Sequence, residues 1–110
     1  MPLEHWSDRV DVIRMGDEAS FSEDLAEAER QASDGKHDLI LDFAGVKYVN
    51  SSTVGKLLKA RKQMADKGRK LVLTSLGTNV WGALLVMGLD QIFHCSEDVS
   101  TALASLQMSQ

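Results

Sequence analysis

The chain has 110 residues, of which 44% are hydrophobic and 25% are charged. This size suits a single domain spanning residues 1–110 that buries its own core, and it argues against two domains. With 12 basic and 16 acidic residues the formal net charge is −4, which makes general nucleic-acid binding a poor candidate function.

The same composition excludes several other classes. A single cysteine, Cys95, cannot form an internal disulfide, and it fits a reducing compartment. No apolar run approaches the roughly 20 residues of a membrane span, and the N-terminus lacks the apolar core of a secretory signal. We therefore expect a soluble, cytoplasmic protein.

Four apolar and β-branched runs predict strands. They cover residues 10–15, 38–43, 70–74 and 91–95. Residues 3–6 are expected to pair with the first run as an N-terminal hairpin. The run at 38–43 is mostly apolar, which is typical of a central strand that is covered on both faces.

Four helices are predicted between and after these strands. Ser20 precedes Glu23 at the spacing of a capping box, which predicts that the first helix starts there and runs to about residue 33. Asn50 to Thr53 can cap the second helix, and Thr78 and Asn79 the third. Residues 96–98 are expected to start the fourth, with two acids suited to its dipole. Glycines 35, 68 and 88 are expected to end the first three helices.

The hydrophobic spacing also predicts a core. On the second helix the apolar face comprises Val54, Leu57, Leu58, Met64 and Ala65. On the third helix it comprises Val80, Trp81, Leu84, Leu85 and Met87, with an exposed partner groove as the alternative for this helix. Cys95 is expected to be a small buried hydrophobe rather than a reactive thiol.

Strands that alternate with helices imply an α/β fold with parallel strands. The N-terminal hairpin adds an antiparallel strand. We therefore predict a mixed, mostly parallel β-sheet flanked by about four α-helices.

Residues with the chemistry of an active site are sparse. The sequence contains no Walker A motif, no G-x-G-x-x-G and no G-x-S-x-G. His5, His37 and His94 are scattered, and His94 and Cys95 are adjacent on a predicted strand, so they point to opposite faces. We predict no metal, no cofactor and no enzymatic activity.

Charge is distributed unevenly along the chain. Residues 17–34 carry seven acids against Arg30, and residues 56–70 carry seven bases against Asp66. These segments are either two solvated helix faces or a bipolar surface that steers a partner.

The most informative stretch runs from Asp42 to Gly55, where a strand leads through a turn to a helix that starts with hydroxyl residues. The first amides of a helix lack internal partners and lie at its positive end. Ser51 could therefore be a simple cap, or it could carry a phosphate that the same amides would stabilise. Gly55 costs about 1 kcal/mol inside a helix, so close approach of another element or of a partner would explain it.

The stretch L-I-L-D-F-A-G-V-K-Y-V-N-S-S-T-V-G-K-L-L resembles the central signature of STAS domains, the family of bacterial anti-sigma factor antagonists. Further likeness lies in V-I-R-M-G near the N-terminus, in K-G-R-K-L-V-L, in M-G-L-D-Q-I-F and in the last helix. Several matches in the right order make the resemblance specific.

The resemblance implies a binding module rather than an enzyme. Family members bind a serine-kinase-type anti-sigma factor and thereby free the sigma factor. The kinase phosphorylates a residue at the start of the helix, which corresponds to Ser51 here and less well to Ser52, and a PP2C-like phosphatase reverses the reaction. The implied partner-binding residues are Asn50, Ser51, Ser52, Thr53, Gly55, Lys56 and Lys59.

Three residues depart from the family pattern. Asn50 stands where the family has an aspartate before the acceptor, Ala19 replaces an early aspartate, and Thr53 replaces a glycine. The first two changes remove negative charge around the acceptor. They modestly favour the alternative function, which is a non-phosphorylated STAS scaffold subunit of a stressosome-like or ABC lipid-transport complex.

Overall fold

The computed structural model describes residues 3–5, 10–16 and 18–108. In chain order the elements are β1 (Leu3–His5), β2 (Val10–Arg14), α1 (Glu18–Asp34), β3 (Asp38–Asp42), α2 (Ser51–Asp66), β4 (Leu71–Thr74), α3 (Thr78–Val86), β5 (His94–Ser96) and α4 (Val99–Met108). The strands form one five-stranded sheet in the order β1-β2-β3-β4-β5. Strand β1 runs antiparallel to β2, and the other neighbours are parallel. The predicted mixed sheet with four helices is confirmed.

Strand β3 lies at the centre of the sheet, and all five of its residues are buried. Because side chains alternate along a strand, Leu39 and Leu41 join the larger core cluster, whereas Ile40 joins the smaller one. The larger cluster contains the apolar faces of α1, α2 and α3, and the smaller one contains Ala102 and Leu106 of α4. Three helices therefore cover one face and α4 covers the other, as predicted for a central strand.

The ends of the helices were predicted better than their starts. Gly35, Gly68 and Gly88 adopt φ values of +67°, +70° and +71° where α1, α2 and α3 finish, which suits glycine in the left-handed region. Helix α1, however, begins at Glu18, two residues before the predicted start at Ser20.

The predicted starts of α3 and α4 were also wrong. Gly77 precedes α3 without a side-chain cap, and Thr78 and Asn79 form the first turn of the helix. Helix α4 begins at Val99, and the Asp98 carboxylate before it accepts a hydrogen bond from the Thr101 amide at 2.8 Å. This bond lowers the pKa of Asp98. Asp98 is thus a cap, and the first turn contains no acid.

Strand β5 is shorter and lies later than predicted. Residues 91 and 92 belong to turns, and the Ile92 amide donates to the Leu89 carbonyl. Phe93 is buried but lies outside the strand, which covers only His94 to Ser96. Cys95 is exposed, so the prediction of a buried cysteine was wrong.

The predicted core was correct for most of α2 but not for α3. Val54, Leu57 and Met64 are buried as expected, whereas Ala65 is exposed and Ala60 takes its place in the core. On α3 only Val80 and Leu84 are buried. Trp81, Leu85 and Met87 are exposed, so the apolar arc of α3 is wider than the face that packs on the core, as the alternative of an exposed groove anticipated.

Candidate functional site

The corner between β3 and α2 is held by the carboxylate of Asp42 at the end of β3. This buried side chain accepts hydrogen bonds from the Arg14 guanidinium at 2.7 Å and from the Ala44 amide at 3.1 Å. The Thr74 hydroxyl donates at 3.5 Å to Oδ1, the oxygen that also accepts from Ala44. The Thr74 carbonyl accepts from the Phe43 amide at 2.9 Å. The ends of three neighbouring strands are thereby fixed relative to the turn. Sequence reasoning missed this network, because the contacts with Arg14 and Thr74 join distant parts of the chain. Only the bond between Asp42 and the Ala44 amide, two residues on, follows a local turn pattern.

After the turn, the segment of residues 46–50 lies along the core and is anchored by two valines. Val46 is buried, and Val49 is half-buried against the larger core cluster. Lys47 is exposed, and Tyr48 exposes 69% of its surface. The segment is therefore anchored, and it presents two side chains beside the start of α2.

Asn50 is the N-cap of α2. Its side-chain oxygen accepts a hydrogen bond from the Thr53 amide at 2.8 Å, and its backbone carbonyl accepts the first helical bond from the Val54 amide at 3.0 Å. The amides of Ser51 and Ser52 precede that first bond, so they point out of the helix at the positive end of its dipole. The predicted capping role of this stretch is confirmed for Asn50.

The structure brings the predicted site residues together on the outer side of α2. Those that are exposed are Asn50, Ser51, Ser52, Gly55, Lys56 and Lys59, and Thr53 is half-buried. The opposite side of the helix carries the buried residues Val54, Leu57, Ala60 and Met64. Ser51 is thus an accessible hydroxyl at the first position of a helix. Its role as an acceptor remains a prediction.

Gly55 faces open space. A Cβ added to it would meet no atom within 4 Å. The expectation that another element of this chain approaches Gly55 closely is therefore wrong. The glycine still lowers the intrinsic stability of the helix, and approach by a partner remains the other explanation.

Lys56 and Lys59 form an exposed basic stripe on α2. Lys62 pairs with Asp66 at 3.5 Å, and the Arg61 guanidinium donates to the Ile92 carbonyl at 3.0 Å. Within the described part of the chain, neither Lys56 nor Lys59 forms an ion pair. The stripe therefore presents uncompensated positive charge one and two turns after Ser51 and Ser52.

The acidic segment in α1 is less solvated than its composition indicates. Asp24 is buried and accepts from the Gly16 amide at 2.6 Å, and the buried Glu27 pairs with Arg30. Two of its acids thus serve the structure of α1, and only the rest are available to steer a partner.

The histidines with described side chains lie apart from this corner. His37 is half-buried, with its Nδ1 3.1 Å from the Asp11 carboxylate. His94 and Cys95 lie opposite Val72 and Leu73 and so point to opposite faces of the sheet, whereas the His5 side chain lies outside the described residues. Across the residues that the structure covers, no group of three His, Cys, Asp or Glu side chains could hold a metal ion. None of the helices in that part of the chain combines the length and apolarity needed to cross a membrane.

Comparison with solved structures shows the same fold in anti-sigma factor antagonists. The STAS domain protein of Planctomyces limnophilus superposes with a TM-score of 0.80 at 17% identity, over 96% of both chains. SpoIIAA in its unphosphorylated form gives a TM-score of 0.77 at 18% identity, over 96% of this chain and 94% of SpoIIAA. The phosphorylated form of the Bacillus protein gives 0.71 at 18%, over 94% and 96%.

A family model describes the same relationship at the level of sequence. The model of the STAS domain matches residues 13–102, a range that runs from β2 into α4 and includes the whole corner around Ser51. The chain therefore belongs to the STAS domain family.

Proposed function

We propose that the chain is a regulatory binding protein of the cytoplasm that docks a serine-kinase-type anti-sigma factor through the first half of α2. Phosphorylation of Ser51 would weaken that docking, and a PP2C-like phosphatase would restore it. The observation that carries the proposal is the exposure of Ser51 at the first position of α2, among the residues that the family resemblance assigns to partner binding. The protein acts by binding and not by catalysis.

The surroundings of the three hydroxyls favour Ser51 as the acceptor. Side chains three and four residues apart are neighbours on a helix. For Ser51 these neighbours are the buried Val54 and the side-chain-free Gly55, so no cation of α2 offsets a phosphate there. For Ser52 the neighbour is Lys56, which would compensate part of the charge. Thr53 is half-buried and is the least accessible of the three.

The charge of the surface supports the proposed direction of the switch. Lys56 and Lys59 are exposed and unpaired among the described residues, so they complement an acidic surface on the partner. A phosphate adds about −1.5 to −2 charges, and on Ser51 it would face the same acidic surface. Repulsion and desolvation then oppose binding, and each 1.4 kcal/mol of that penalty is about tenfold in affinity.

Phosphorylation is tested by incubating the chain with its cognate serine kinase and ATP and counting phosphates by mass spectrometry. We expect one phosphate on the wild type and on Ser52→Ala, and none on Ser51→Ala. The reverse pattern would assign the switch to Ser52 and contradict the charge argument.

Docking is tested separately by calorimetric titration of the unmodified partner. We expect Ser51→Asp to weaken binding at least about tenfold and Ser52→Asp to weaken it less, because Lys56 compensates the second charge. Unchanged affinity of Ser51→Asp would show that Ser51 lies outside the contact surface.

The second candidate function is a non-phosphorylated scaffold subunit of a stressosome-like or ABC lipid-transport complex. The observation that favours it is Asn50, whose amide caps α2 as an aspartate would but places no negative charge beside Ser51. Under this function the kinase adds no phosphate to the wild type, while the α2 surface still binds its partner. Incorporation of phosphate at Ser51 of the wild type would exclude it.

A further inference from the structure

Strand β5 is an open edge of the sheet. It pairs with β4 on one side, and among the described residues no strand lies along its other side. His94 and Cys95 are exposed, and Ser96 is half-buried. Edge strands of monomers are usually protected by lysine, proline or a bulge. The three residues of β5 supply no lysine or proline, so its shortness is the main protection that this edge has.

The helix above this edge exposes apolar side chains. On α3, Trp81 exposes 37% of its surface, Leu85 47% and Val86 89%. Trp81 and Leu85 lie one helical turn apart and so share a face. The sequence carries no charged residue from Leu71 to Leu89. The strand, loop and helix that form this apolar face therefore contribute no charge to it.

A cleft connects the helix with the strand. It has a volume of about 390 Å³ and is lined by Leu76, Trp81, Cys95, Ser96 and Glu97. The free edge of β5 and the outer face of α3 therefore form one continuous surface, which we call the β5 edge. Large exposed apolar patches are uncommon on monomers and mark interaction sites.

We infer that the β5 edge is the interface of a homodimer, in which the β5 strands of two copies pair antiparallel about a twofold axis at Cys95. In a twofold interface, each side chain near the axis contacts the same side chain of the second copy. A charged side chain there would be repelled by the identical charge of the second copy. An edge whose helix carries no charge meets this requirement. A foreign partner imposes no such condition, which is why a second copy is the better occupant.

The register centred on Cys95 is compatible with the side chains of β5. It places His94 opposite Ser96 of the second copy, and these two can share a hydrogen bond. Glu97 lies opposite Phe93 of the second copy. The two Glu97 residues are then four positions apart along the strands, about 13 Å, which exceeds the screening length of roughly 8–10 Å.

The proposed dimer leaves the docking surface on α2 free. Helix α2 connects β3 to β4, whereas α3 connects β4 to β5 at the end of the sheet. Each dimer would therefore present two separate Ser51 surfaces. The inference does not depend on the identity of the partner that these surfaces bind.

Disulfide trapping tests the register. In antiparallel strands, opposite Cα atoms are about 4.5 or 5.5 Å apart, and a disulfide requires about 4.4–6.8 Å. Diamide accepts the two hydrogens that a pair of Cys95 thiols loses as the S–S bond forms. Although the residue is exposed, its thiol is partly covered, and this desolvation raises the pKa of Cys95. The reaction is therefore best run at about pH 9. We expect a disulfide-linked dimer of the wild type and no cross-link in Cys95→Ser.

Sedimentation equilibrium of the reduced, full chain tests the interface itself. We expect the wild type and Cys95→Ser to be dimers, and Leu85→Asp to be a monomer that retains its circular dichroism spectrum. Tyr48→Asp is the matched control, since it places the same charge at another exposed apolar position, and it should remain a dimer. A monomeric wild type would overturn the inference whether or not Cys95 cross-links, because an exposed thiol can also react on random collision. A dimer that Leu85→Asp does not weaken would overturn the interface, and a dimer without the Cys95 cross-link would overturn the register.

Discussion

Replacement of Gly55 by alanine distinguishes the effect of this glycine on the stability of the fold from its effect on the binding of a partner. Gly55 lies within α2, and an added Cβ meets no atom within 4 Å. The methyl group therefore creates no steric conflict inside the chain. Alanine is favoured over glycine in a helix because it restricts the unfolded backbone more.

The magnitude follows from helix propensity. Alanine exceeds glycine by about 0.8–1.0 kcal/mol in a helix interior, and no contact energy offsets this gain at an exposed site. For a domain of this size, 1 kcal/mol corresponds to about 4–6 °C in Tm. With a urea m-value of about 1–3 kcal/mol/M, the unfolding midpoint should rise by roughly 0.5 M.

Chemical and thermal unfolding of the wild type, Gly55→Ala and Gly82→Ala measure the gain. Gly82 is a suitable control because it also lies in a helix with no atom within 4 Å of an added Cβ. Both variants should be stabilised. A lower midpoint for Gly55→Ala would refute the reasoning, because it would mean that the native state requires the glycine.

The same pair of variants then reports on docking. If a partner approaches α2 closely at Gly55, Gly55→Ala should bind it more weakly although its fold is more stable, and Gly55→Leu should bind more weakly still. Gly82→Ala should bind like the wild type. Equal affinity of Gly55→Leu and the wild type would show that no partner uses the open space at Gly55.

Substitutions at two further positions test a helix cap and a left-handed backbone position. Asn50→Ala should cost about 1 kcal/mol because it removes the cap on the Thr53 amide, whereas Asn50→Asp should retain the fold; an equal loss in urea unfolding for both would contradict the capping role. Ser75, directly after β4, has a φ of 59°, so Ser75→Val should lose about 1–2 kcal/mol and Ser75→Asn should not. Thermal unfolding distinguishes them, and equal midpoints would show that the left-handed backbone at Ser75 is not maintained.

The sequence predicted the centre of the sheet and the corner around Ser51 correctly for a physical reason. A strand buried on both faces must be apolar on both faces, as Leu39 to Leu41 are. A helix that follows needs an acceptor for its free amides, and Asn50 provides it. Both signals are local in sequence, so they can be recognised without knowledge of the tertiary structure.

The errors concern features that depend on what lies nearby in space. The spacing of Trp81 and Leu85 shows that they share a helix face, but not that this face lies beyond the last strand of the sheet. Cys95 was expected to be buried because its residue type usually is, yet its strand turned out to be an edge. Likewise, the Asp42 network joins residues 28 to 32 positions apart, which no local pattern reveals.

The rigidity of the corner bears on how a modification of Ser51 could act. Asp42 fixes the turn, Val46 anchors the following segment in the core, and Asn50 caps the helix. None of these contacts involves the Ser51 side chain, which is exposed. A phosphate there therefore has no internal contact to break, and the positive end of α2 favours it. The free energy of unfolding should remain unchanged or rise, so any loss of affinity must arise at the surface between the two proteins. A phosphorylated chain that unfolded at a lower urea concentration would instead place the effect within the fold.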